Sequence, residues 1–260
     1  QIVERPAPPL TAGDFAAVRQ FRFFYDVTVT DLPPGETARI WIPIAVDGTE
    51  QRVKRERTTV PGELRETLDS TNGNQLLYTE AKANEQGEIP LLVTYLVERV
   101  EAMRGAGEKV PSDFSKSPVE YFVRSNPDTE LDTWVKESVH GAPALMNARE
   151  FYDKLLERVK SQPARAADLT RDFATLCHLR EIPFLVEWGF VIGSDSKQSA
   201  PQLGSWAKFA AHGHWHTVDL ETANSDPKLA GHCFGTLSPD RIQFAVGYSH
   251  NTLVPAPAEN

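Results

Sequence analysis

The chain has 260 residues, 40% hydrophobic and 24% charged, with a formal net charge of -9. That is enough chain to bury one large core or two smaller ones. Negative charge is spread through mixed-sign sequence, and no Lys/Arg-rich run offers counter-charge to a phosphate backbone, which argues against a nucleic-acid partner. No apolar stretch reaches the roughly 20 residues of a membrane span, and with only Cys177 and Cys233 the chain is not a disulfide scaffold.

In chain order, residues 1–18 are proline-rich and aperiodic and read as an extended arm. The start at Gln1, without Met or an apolar leader, suggests a trimmed N-terminus. From Phe21 the pattern has period two: Phe21, Phe23, Tyr25, Val27 and Val29 alternate with polar neighbours, as a half-buried strand requires. After the Pro33-Pro34-Gly35 turn, further strands are expected over 38–44, over 75–80 beyond Asn72-Gly73, and over 89–100. Short strands between turn residues predict an antiparallel β-sandwich over 19–104. A polar linker, 105–118, follows.

Helical spacing then takes over. Leu131, Trp134, Val135 and Val139 share a face, and Gly141 with Pro143 stops that helix. Asn147 and Glu150 form a candidate capping box before the stripe Phe151, Leu155, Val159. A third helix opens at Pro163, with Ala166, Leu169, Phe173, Leu176 and Cys177 on its apolar side, and ends at Ile182-Pro183. Strands are expected over 184–192, 205–210 and 215–220, the last two joined by a turn at His212-Gly213-His214. Helices followed by antiparallel strands make 119–254 an α+β domain, with a tail from 255 to 260.

Leu176-Cys177-His178-Leu179-Arg180-Glu181-Ile182-Pro183, followed by Trp188-Gly189-Phe190, is similar to the helix-to-strand core of the bacterial transglutaminase-like family. So are Trp215-His216-Thr217-Val218-Asp219, Asp226-Pro227-Lys228 and Phe234-Gly235-Thr236-Leu237-Ser238-Pro239-Asp240-Arg241-Ile242, which follow the family's W-V-P-V-D, D-P-K and F-G-N-L-x-x-D-R-V in order. The resemblance runs from about Phe21 onward, because Arg39-Ile40-Trp41-Ile42-Pro43 matches the sandwich that precedes the catalytic domain in secreted bacterial members. It implies an α+β, papain-like fold, no cofactor, and a secreted or periplasmic location.

The family uses a Cys, His and Asp triad. Counting back from Ile182-Pro183 sets Ala166 where the cysteine belongs; a second register sets Thr170 there. Gly204 stands at the histidine position, ahead of Ser205-Trp206-Ala207-Lys208-Phe209, where Lys208 replaces an acid. Asp219 matches the third member. The segment 160–166 is too short for the family's Gly- and Trp-rich loop. Cys177 lies 11 residues past Ala166, some 16 Å along a helix at roughly 1.5 Å per residue, and cannot replace the nucleophile.

The resemblance therefore implies a pseudoenzyme that binds a protein or peptide, with Trp188, Trp206 and Thr170 as candidate binding residues. The competing expectation is an active hydrolase or acyl transferase. It would use a metal on His212, His214 and His216, whose alternate spacing can converge on Zn²⁺, or be a cysteine enzyme with Ala166 engineered in. Glu187, a carboxylate on an apolar strand, needs a partner that the sequence does not name.

Overall fold

The computed structural model describes residues 17–69, 72–103, 109–111, 114, 131, 133–134, 142–193 and 201–247. Most of the arm and the linker, the stripe through Val135 and Val139 with its stop at Gly141, and the tail lie outside them. Leu131 and Trp134 are helical.

Six strands form two three-stranded antiparallel sheets. One has the order β1 (Val18–Val29), β6 (Ile89–Val100), β3 (Gln51–Thr59); the other has the order β2 (Thr37–Pro43), β5 (Gln75–Lys82), β4 (Glu63–Leu68). Strand β1 pairs with β6 along its whole length, from Val18 opposite Val100 to Val29 opposite Ile89. The inward residues Phe23, Leu91, Val93, Tyr95 and Val97 meet Ile42, Leu77 and Ala81 of the second sheet in one core. Strands β3 and β4 carry almost no apolar alternation. They hold their place by pairing with β6 and β5, and Arg55 of β3 forms an ion pair with Glu66 of β4 across the two sheets.

Helix α1 (Ala144–Ser161) starts three residues before the expected cap. Asn147 is inside it, and its side-chain amide donates back to the Ala142 carbonyl at 2.9 Å, so the capping box does not form. Pro163 opens a 3₁₀ turn, Pro163–Asp168, before α2 (Leu169–Leu179), where an α-helix was expected throughout. The expected stripes are buried except for the half-buried Ala166: Phe151, Leu155 and Val159 of α1, joined by Tyr152, pack with Leu169, Phe173, Leu176 and Cys177 of α2.

Beneath them lies a four-stranded antiparallel sheet in the order β10 (Arg241–Val246), β7 (Phe184–Val191), β8 (Gln202–Ala211), β9 (His214–Val218). Strands β8 and β9 are joined by two residues, His212 (φ 52°) and Gly213 (φ 76°), the left-handed pair of a type I′ hairpin. His214 therefore lies on the strand, opposite Ala211, and not in the turn. Strand β9 ends at Val218; Asp219 caps the short helix α3 (Leu220–Ser225), so the strand expected over 215–220 is shorter.

The far side of this sheet joins the β-sandwich. Ile242 and Phe244 of β10, with Phe190 of β7, belong to the sandwich core, and the Phe244 ring lies 5.5–5.8 Å from those of Phe23, Tyr25, Tyr95 and Phe190. Gly189 allows the close fit of β7 to β10, since a Cβ there would come 1.9 Å from the Ile242 carbonyl oxygen. The fold is α+β, with helices on one face of the central sheet and the sandwich on the other.

Candidate functional site

Of the residues matched to a triad, Gly204 lies near the start of β8 and Asp219 just past the end of β9. Ala166 is in the 3₁₀ turn, half-buried against the helix-sheet core. Thr170, one turn on in α2, is buried, and its hydroxyl donates to the Ser205 carbonyl at 3.4 Å. The 3₁₀ turn also packs against α3.

Asp219 is 2% exposed and fully engaged. Its Oδ1 accepts from the Thr222 N–H at 3.0 Å as the N-cap of α3, and its Oδ2 accepts from Arg241 Nη2 at 2.7 Å. Next to it, Glu221 Oε1 accepts from Ser205 Oγ at 2.6 Å and Oε2 from Ser205 N–H at 3.2 Å. Burial holds the Glu221 carboxyl above the usual carboxylate value, helped by the neighbouring charge of Asp219 and opposed by the Ser205 bonds. The same Oε2 is 3.3 Å from where a Cβ on Gly204 would sit.

A second polar cluster fills the space between the central sheet and the sandwich. Lys208 Nζ sits 2.9 Å from Glu187 Oε1 and 3.1 Å from Glu50 Oε2, which names the partner that Glu187 requires. Glu187 Oε2 also accepts from Trp206 Nε1. Burial pushes the Glu50 carboxyl up, but Lys208 and then Arg99 outweigh it and hold it below its ordinary value. Gln51 ties the cluster to β10, accepting from Arg99 Nη1 at 2.8 Å and from the Gln243 N–H at 3.0 Å. Arg99 is fully buried and depressed to about 10 by desolvation, against the pull of Glu187 and Glu50.

Trp206, expected as a binding residue, is wholly enclosed, with the guanidinium carbons of Arg241 and Arg99 at 5.0 and 5.8 Å from its ring centre. Trp188 is half-buried and donates through Nε1 to the Gly247 carbonyl at 2.9 Å.

Both cysteines are free thiols inside the fold. Burial drives the Cys177 thiol far up and Cys233 up to about 12, the latter helped by Asp219. Of the three histidines, His216 is buried, stacks on Phe209 at 5.3 Å and sets Nε2 3.2 Å from the Ala211 carbonyl oxygen, while His212 lies in the hairpin turn. Among the described residues no group of three or more His, Cys, Asp or Glu side chains is placed to hold a metal ion. Outside these clusters, an open groove runs along α1, with Trp134, Leu145, Met146 and Phe234 as its apolar lining and Arg149 and Glu157 among its charged residues.

The residues that sequence reasoning missed are Glu221, Ser205, Glu50, Arg99 and Arg241. Ser205 and Arg241 had a visible signal in the quoted motifs, and Glu221 had one through the β8–β9 register.

No protein-family model and no curated protein matches the sequence. The fold is similar to the crystal structure of a candidate cysteine protease from Cytophaga hutchinsonii, with a TM-score of 0.52 and 16% identity, covering 90% of this chain and 84% of that one. At that identity the likeness is one of fold alone.

Proposed function

We propose that the chain is a noncatalytic transglutaminase-like protein that binds a protein or peptide, built from a sandwich over 19–104 and a transglutaminase-like domain over 119–254. The observation that carries this reading is the state of the thiols. Catalysis of the family's kind needs a thiolate beside an imidazole, and here Cys177 and Cys233 are both buried and held protonated, each at a distance in sequence from the matched nucleophile position. Ala166 and Thr170 supply no thiol, and Gly204 supplies no base. Losing a member of such a triad typically leaves only about 10³ to 10⁴ over the uncatalysed rate.

The groove along α1 supports a binding role, because its apolar lining with charged residues beside it suits a peptide that brings apolar anchors. Trp188 remains a candidate contact near the triad positions, whereas Thr170, buried with its hydroxyl on the Ser205 carbonyl, is no more open to a ligand than Trp206. A secreted or periplasmic setting follows from the resemblance.

The test is amine incorporation and amide hydrolysis on glutamine-containing peptides, with rates at the buffer blank expected. Turnover well above the blank that is abolished in Asp219→Ala overturns the proposal.

A further inference from the structure

Strand β9 stops at Val218, opposite Ala207, so earlier residues of β8 have no strand neighbour on that side. Continued past Val218, the same register sets residue 221 opposite Gly204. Glu221 supplies the missing acceptor, taking both the N–H and the hydroxyl of Ser205. Its Oε2 and Val191 Cγ2 stand 3.3 and 3.0 Å from the point where a side chain at Gly204 would begin. Such distances are tighter than ordinary van der Waals contact even for one methyl group.

We infer that Glu221, together with Val191 beside it, fills the slot that a side chain at position 204 would need, so that a base can return there without strain only if Glu221 is also removed and Val191 gives way. The functional part rests on the match of Gly204 to the family's histidine; the steric part rests on the geometry alone. The carboxylate is a poor candidate to move aside. It is held at two points by one residue, and releasing it leaves the Ser205 N–H unpaired.

A stability cycle tests the slot. Gly204→His and the milder Gly204→Ala are made in the wild-type chain, in Glu221→Ala and in Glu221→Gln, and urea midpoints are read at pH 7. Overpacking should lower the midpoint of G204H by roughly 0.5–1 M in the wild-type background. Part of that shift should be relieved with E221A, the remainder staying with Val191, and nearly all of it should remain with E221Q, which keeps the volume. G204A should follow the same order with smaller shifts. Equal penalties in the E221A and wild-type backgrounds overturn the inference, as does a G204H chain made more stable by an imidazole–carboxylate pair.

A second measurement separates this from the reading it rests on. Iodoacetamide alkylation at pH 7 is compared for A166C and for A166C/G204H/E221A, with the wild type as the background for Cys177 and Cys233. A restored imidazole should speed alkylation about five- to ten-fold by raising the thiolate fraction. Equal rates together with a positive stability cycle overturn the placement of Ala166 and Gly204 on the triad while the filled slot stands.

Discussion

Lys208→Met keeps most of the side-chain volume and removes the one ammonium that Glu50 and Glu187 share. At an effective dielectric constant of about 20, each pair near 3 Å carries about 5 kcal/mol of gross attraction. Much of that is cancelled by the desolvation of the ammonium. Removing one partner of a buried pair leaves a net loss of about 3–5 kcal/mol. The loss should depend on pH in a definite direction. In the wild type the Glu50 carboxyl lies below its ordinary value, so its contribution is present above the unfolded pKa near 4.5 and is lost as pH falls through the lower folded value. In the variant the burial that already opposes Lys208 is checked only by Arg99 and a backbone hydrogen bond, and the Glu50 pKa rises. The deficit should then be largest at pH 7 and should shrink toward pH 5, as the Glu50 carboxyl takes up a proton in the folded state. Urea denaturation followed by tryptophan fluorescence at the two pH values checks this. A deficit under about 1 kcal/mol at pH 7, or one that is constant or grows toward pH 5, would refute the reasoning.

Phe244→Ala should cost about 3–5 kcal/mol, since the ring is enclosed by four aromatic neighbours from the sandwich and the central sheet. Because those neighbours span both units, calorimetry should still show one transition at a lower temperature; two separated transitions would show that the units melt independently. Asp219→Asn should cost about 3 kcal/mol by leaving Arg241 buried without its counter-charge, measured by urea midpoint. His212→Asn should raise the melting temperature by about 1–2 °C, because Asn-Gly is the favoured pair where both turn residues have positive φ.

How far the sequence could be read depended on what holds each element. Strands β1 and β6 bury one face against an apolar core and so show alternation. Gln51–Thr59 has Val53 as its one apolar residue and is a strand only because β6 offers it a partner. The start of α1 was misplaced because Asn147 has the chemistry of a cap, yet uses it from inside the helix on the Ala142 carbonyl. The Lys208–Glu187 pair needed the β7–β8 register, in which Glu187 faces Trp206 and so lies diagonally from Lys208. Glu221 was hidden by a one-residue error. With a three-residue turn, 222 falls opposite Gly204; with the His212-Gly213 turn, 221 does.

Asp219 has a physical duty in the fold that does not involve catalysis. Its carboxylate satisfies the Thr222 N–H at the start of α3 and neutralises Arg241, whose guanidinium lies over the enclosed Trp206 ring. Replacing it would strand a buried charge between the central sheet and the sandwich. Ala166 and Gly204 have no such second duty: one is a half-buried methyl on the core, and the other leaves room for Glu221. Under the proposed reading, the nucleophile and base can go while the acid stays for the sake of the fold, and an acid kept in this way says nothing for activity.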